Sequence, residues 1–131
     1  MDRHSSHKLV IPLKLHSLNE YIGACRRNPY RGAKMKKEDQ QSIEWLIRSQ
    51  LRGIRIDKPV RMSYRWYEPN QMRDLDNISS YGRKVIQDAL VKTKVLENDG
   101  WRHIVGFSDE FHVDKKSPRI EVEITEVYDG R

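Results

Sequence analysis

Apolar residues recur along this chain with two periods, and the switches between them mark the elements. Leu9, Ile11, Leu13 and Leu15 alternate with polar neighbours, which predicts a half-buried strand over Lys8–Leu15. Pro12 lacks an N–H, so this strand belongs at a sheet edge or begins irregularly. Residues 16–34 show no period, because Gly23, Pro29 and Gly32 interrupt any run, and they read as a long loop. Ile43, Leu46, Ile47, Leu51 and Ile54 then recur at three- and four-residue spacing, which predicts a helix over residues 36–52 that stops at Gly53. From Val60 to Tyr67 the period returns to two. Val60, Met62, Tyr64 and Trp66 face one way, with Arg61, Ser63, Arg65 and Tyr67 opposite. A second helix follows, with Ile78, Tyr81, Gly82, Val85, Ile86, Ala89 and Leu90 on one face and Asp76 or Asn77 as its N-cap. Two strands close the chain, around His103–Val113 and Arg119–Val127, joined by a hairpin turn at Asp114–Ser117.

The resulting order is β-α-β-α-β-β. It predicts an α+β fold, a single domain over residues 1–131, with a mixed sheet of about four strands and two helices packed on one face. Residues 1–7 are polar and are expected to be flexible.

Composition narrows the function classes. A chain of 131 residues is long enough for one real core. One cysteine, Cys25, makes neither an internal disulfide nor a CxxC zinc site. No run of about 18 apolar residues spans a membrane, and MDRHSSHK is not followed by the apolar core of a signal peptide, so a cytoplasmic location is expected. The net charge of +6 is unevenly placed. Residues 1–96 carry 20 Lys and Arg against 10 Asp and Glu, whereas residues 97–126 carry 4 against 8. That asymmetry points to a polyanionic partner. The 16–34 segment, with Arg26, Arg27, Arg31 and Lys34 interleaved with Tyr21 and Tyr30, suits phosphate and base contact.

The chemistry concentrates between Arg73 and Gly100. Asp74 and Asp76, read as extended chain, point to the same side and can address one ligand. Two such carboxylates repel unless a cation lies between them, and Mg2+ is the hard, oxygen-preferring choice. Asp99, in Asn-Asp-Gly, is the candidate third ligand. It reaches the others only if segment 94–99 runs back toward the helix start. Lys84 and Asp88 lie one turn apart on the polar face of the second helix, and a lysine there can offset charge developing on a phosphate. Singly, each feature has a plainer reading: Asp-x-Asp-Asn as cap and turn, Asn-Asp-Gly as turn, Lys84–Asp88 as a surface ion pair. A Ca2+ loop is excluded because Ile78 and Ser79 stand where a ligand and a glycine are required. The five histidines form no zinc pattern, and no P-loop, GxSxG or Cys-His nucleophile arrangement occurs.

These residues resemble the RusA family of Holliday junction resolvases, small basic homodimeric endonucleases of bacterial and prophage origin. The resemblance is carried by Arg-Asp-Leu-Asp-Asn at 73–77, Lys-Val-Ile-Gln-Asp-Ala-Leu at 84–90 and Asp99, eleven residues past Asp88. Leu18-Asn19-Glu20 and the closing Arg-Ile-Glu-Val-Glu-Ile-Thr-Glu strand extend it over nearly the whole chain. It implies that Asp74, Asp76 and Asp99 hold Mg2+, with Mn2+ as a substitute, and that Lys84 serves catalysis. Arg73, Asn77, Asn19, Arg26, Arg27, Arg31 and Lys34 would contact DNA, and a two-fold dimer would resolve four-way junctions by paired nicks in recombination and repair. The chain departs from the short form of the family by four extra residues before the lysine motif, so Ser80 stands where that form has its lysine, and Asn98 stands where some members have a second aspartate. Two other readings compete: a junction-binding protein that does not cut, and a nuclease for other branched DNA such as flaps.

Overall fold

The computed structural model describes residues 5–128, so of the expected flexible segment 1–7, residues 1–4 lie outside the described residues. Ser6 and His7 are ordered, opening β1 (Ser6–Ile11) opposite Thr125 and Ile124. The chain continues through α1 (Leu18–Arg27), α2 (Pro29–Leu51), β2 (Val60–Glu68), α3 (Leu75–Lys92), β3 (Ile104–Val113) and β4 (Arg119–Glu126). The four strands form one mixed sheet in the order β1-β4-β2-β3, with β2 and β3 parallel and the other neighbours antiparallel. No described helix is long and apolar enough to cross a membrane.

The α+β class and the four-stranded mixed sheet agree with the sequence pattern, but there are three helices and the order is β-α-α-β-α-β-β. The segment 16–34 is therefore not a loop. Ser17 caps α1 with a complete capping box. Its hydroxyl accepts from the Glu20 N–H at 3.1 Å, and the Glu20 carboxylate accepts from the Ser17 N–H at 2.8 Å. Pro29, which looked like a breaker, occupies the first turn of α2 behind the Asn28 cap, where its missing N–H costs nothing. Gly32 is buried because α1 and α2 meet there. A Cβ at this position would lie 2.2 Å from Cys25 Sγ.

The helices cover one face of the sheet. Leu9, Ile11, Val60, Met62, Tyr64, Trp66, Ile120, Val122 and Ile124 point into a core closed by Ile43 and Ile47 of α2 and Val85, Ile86, Ala89 and Leu90 of α3. Gly82 lets α3 approach closely, since a Cβ there would meet the Trp66 ring at 2.8 Å. Burial of side chains this size stabilises by about 1.5–3 kcal/mol each. The open face carries Arg65 paired with Glu121 and Arg119 lying 3.8 Å over the Tyr67 ring.

Three further expectations change. Pro12 ends β1 at Ile11, which leaves Leu13 exposed while Leu15 turns back into the core. β3 and β4 are not a hairpin: both flank β2, so the chain crosses the end of β2 between them. Asp114 still shapes the turn, accepting from the Lys116 and Ser117 N–H groups. The cap of α3 is Asp74, not Asp76 or Asn77, and its carboxylate makes no capping hydrogen bond.

Candidate active site

The parallel pairing of β2 and β3 fixes the layout. β2 delivers the chain to one end of the sheet, where a short turn leads into α3, and α3 returns it to the other end to start β3. Asp74 and Asp76 therefore stand at the start of α3, with Asp76 inside its first turn instead of in extended chain. Both are exposed, and neither carboxylate has a hydrogen-bond or ion-pair partner among the described residues.

Asp76, Ser80, Lys84 and Asp88 recur every four residues, which puts them on one stripe of α3 that drifts about 40° per step. The Ser80 hydroxyl donates to the Asp76 carbonyl. Lys84 Nζ donates to Asp99 Oδ2 at 3.0 Å and pairs with Asp88 at 3.1 Å. Lys36 of α2 approaches Asp88 from the other side at 3.4 Å. Hydrogen bonds from Lys84 to Asp99 and Asp88 raise its pKa above the ordinary lysine range against a smaller opposing effect of burial, so the ammonium is charged at any neutral pH.

Segment 94–99 does run back from the end of α3, after Leu96 bridges Ile56, but Asp99 stops at Lys84. Eight residues separate Lys84 from Asp76, about 12 Å along the helix axis. Asp76 leans toward the helix N-terminus while Lys84 Nζ is drawn one turn the other way to Asp88, so the gap stays open. Among the described residues, no three His, Cys, Asp or Glu side chains converge as a metal-holding group. The structure thus joins Asp99 with Lys84 and Asp88, and places Asp74 and Asp76 apart from them at the cap and first turn of α3. Asp74 and Asp76, hard oxygen donors with nothing to neutralise them, fit a divalent cation in chemistry. Among the described residues, Asp99 Oδ1 has no protein partner.

Arg73, expected on the DNA, is turned inward. Its Nε and Nη2 donate to Glu68 Oε1 and Oε2 at 2.9 and 2.8 Å, and its Nη1 donates to the Leu15 carbonyl at 3.0 Å and Glu20 Oε1 at 3.4 Å. The bidentate fork on a buried carboxylate is a structural clamp. It ties the cap of α1 to the residue before Asp74. Burial works against ionisation of Glu20, but hydrogen bonds from Ser17 and the charges of His16 and Arg73 hold its pKa below the usual carboxylate range. Glu68 was missed in the sequence, although a charge at the buried parity of β2 was its signal.

The remaining DNA candidates stay outward. Asn19, Arg26, Arg27, Arg31 and Lys34 are exposed, and none has an ion-pair partner among the described residues. Asn19, Arg27, Arg31 and Lys34 line an open groove between α1 and the start of α2. Asn77 is half-buried on the first turn of α3. The basic segment is thus a helical elbow whose cap is fastened, through Glu20 and Arg73, to the start of α3.

The sequence matches the family model described as Endodeoxyribonuclease RusA over residues 12–125. No curated protein matches it. That match spans β2, β3 and all but the last residue of β4, the basic elbow and both halves of the acidic site, and the chain belongs to the RusA family of endodeoxyribonucleases.

Proposed function

We propose that this protein is a Mg2+-dependent endonuclease selective for branched DNA, which resolves four-way junctions by paired nicks as a two-fold dimer in recombination and repair. The observation that carries the reading is the pair of carboxylates, Asp74 and Asp76, unpartnered among the described residues, at the start of a helix whose polar face further along presents a charged lysine paired with Asp99 from the connection to β3. Carboxylates left bare beside a basic DNA-facing elbow repel a phosphate backbone, which makes them poor binding residues and good cation ligands.

Asp74 and Asp76 are the residues that would hold Mg2+, with Mn2+ as a substitute, and Asp99 would join them only on leaving Lys84 for the start of α3. At that place Mg2+ would supply Lewis-acid activation of water and charge neutralisation at the scissile phosphate. Lys84 offsets charge developing on that phosphate, its ammonium already oriented by Asp88 and Asp99. Asn77 and Asn19 donate to non-bridging phosphate oxygens, and Arg26, Arg27, Arg31 and Lys34 hold the backbone without reading sequence. Arg73, its guanidinium held by Glu68, positions Asp74.

Synthetic four-way junction, flap and linear duplex, each with Mg2+ or EDTA, test the reading. Symmetric, metal-dependent cuts confined to the junction are expected. Asp76→Asn should abolish cutting while keeping or tightening junction binding, because it removes a negative charge from the DNA-facing side. Wild-type cutting by that variant, or junction binding without cuts under every divalent metal, overturns the proposal.

A further inference from the structure

Three tryptophans stand in the chain, and the structure treats them differently. Trp66 is 2% exposed, its Nε1 donates to Asp109 Oδ1 at 2.9 Å, and it serves the core. Trp101 is 96% exposed, and its ring meets no other ring or cation among the described residues. The turn that carries it is fixed. The His103 and Ile104 N–H groups both donate to the Gly100 carbonyl, at 2.9 and 3.0 Å, and the His103 carbonyl accepts from the Val60 N–H at 2.8 Å. Just before the turn, the Asp99 N–H donates to Asn98 Oδ1 at 2.7 Å, and the Asp99 carboxylate is held by Lys84 of α3. The backbone under the indole is thus tied to α3 on one side and to β2 on the other. A turn fixed this way loses little freedom when its ring meets a ligand.

We propose that Trp101 is a stacking platform for an unpaired base at the branch point of DNA, and so the side chain by which this protein tells a branch from a duplex. This rests on the nuclease reading above and deepens it. The basic elbow does not supply that distinction, because Arg26, Arg27, Arg31 and Lys34 meet phosphates, which duplex and branch share. A duplex keeps its bases stacked and out of reach, whereas a branch point frees base faces where the arms part. An indole takes any of them, since every base has a π-face. Position favours the same occupant. Trp101 lies two residues past Asp99, at most about 7 Å of chain, so a base on the indole belongs to a nucleotide close to the Lys84–Asp99 pair. Arg102 is exposed, has no ion-pair partner among the described residues, and is available to that nucleotide's phosphate. The chain neighbours Glu97, Asn98, Gly100 and Arg102 are exposed and polar or small. The ring therefore lacks the apolar surround that a protein interface buries.

The test measures binding in EDTA, where no cutting is expected, on a four-way junction and a linear duplex. A fluorescent adenine analogue stands either at the branch point or in the middle of an arm. Wild type should change the analogue's emission at the branch point only, and Trp101→Ala should abolish that change. The same variant should weaken junction binding by about 5- to 150-fold, which is the ~1–3 kcal/mol of one base–aromatic stack. Its duplex binding and melting temperature should match wild type, because the indole is exposed and lies off the basic elbow. Trp101→Phe keeps a ring and should recover most of the affinity. Trp45, 68% exposed on α2, is the control, and Trp45→Ala should leave the branch signal intact. Wild-type junction affinity in Trp101→Ala, an equal loss on duplex, or an unchanged emission at the branch point overturns the proposal. So does sedimentation velocity without DNA in which Trp101→Ala alters self-association, since the ring then serves a protein contact. Cutting with Mg2+ is scored apart. A wild-type chain with the Trp101-dependent branch signal that never cuts sinks the nuclease reading alone, and junction cutting that ignores Trp101→Ala, with no branch signal, sinks this one alone.

Discussion

Replacing Arg73 separates a DNA contact from an internal clamp. In Arg73→Ala the Glu68 carboxylate, 5% exposed, loses both of its donors, and the Leu15 carbonyl loses a third bond. Leaving one partner of a buried pair uncompensated costs about 3–5 kcal/mol. A domain of this size has roughly 5–15 kcal/mol in all. At about 3–5 °C per kcal/mol, the melting temperature should fall by roughly 10–25 °C. Arg73→Lys keeps the charge but not the fork and should fall less. Adding Glu68→Leu to Arg73→Leu removes both charges and should recover part of the loss, which a double-mutant cycle reads as coupling. The assay is thermal unfolding by circular dichroism, alongside junction binding at several salt concentrations. If Arg73→Ala melts within a few degrees of wild type, yet binds junction more weakly with a shallower salt dependence, then the clamp is not what Arg73 contributes and the residue acts on DNA.

Three other expectations follow from the site. Lys84→Ala should lower the single-turnover cleavage rate by about 10-fold or more at saturating DNA, while binding changes little; an unchanged rate removes the lysine from the chemistry. Replacing Arg27 and Arg31 together by alanine should weaken junction, flap and duplex binding alike and reduce the slope of log K against log salt by about 1.8, which salt titrations check. Acid should destabilise the fold through carboxylates whose folded pKa is depressed. Glu20 is held down by Ser17, His16 and Arg73 against the effect of burial, and Glu121 by Arg119 and Arg65. The stability they contribute is present above their ordinary value near 4.5 and is lost as pH falls through the lower folded value. The urea midpoint should therefore be level near neutrality and decline below about pH 4.5, and a midpoint unchanged at pH 3 contradicts the assignment.

Apolar periodicity by itself determined the strands and the two long helices, because a strand or helix must bury one face and its sequence records which. It determined the α+β class for the same reason. The motif residues Asp74, Asp76, Lys84 and Asp99 were also legible, since their types and spacing have few other chemical uses in this combination. Local signals were present but overruled in residues 16–34. There, Ser17 and Glu20 spell a capping box, while Gly23, Pro29 and Gly32 suggest breaks. Only the packed structure shows that Pro29 starts a helix and that Gly32 exists for Cys25. What the chain's order could not decide was which residues meet across it. The direction of β3 relative to β2, and so the end of the sheet at which Asp99 leaves α3, depends on long-range pairing. The same holds for Arg73, whose sequence context reads as a DNA grip. Its guanidinium turns inward because Glu68 of β2, Glu20 of α1 and the Leu15 carbonyl of the segment before α1 converge on it. A side chain's partners are set by contacts far apart in sequence, and those exist only once the fold has brought them together.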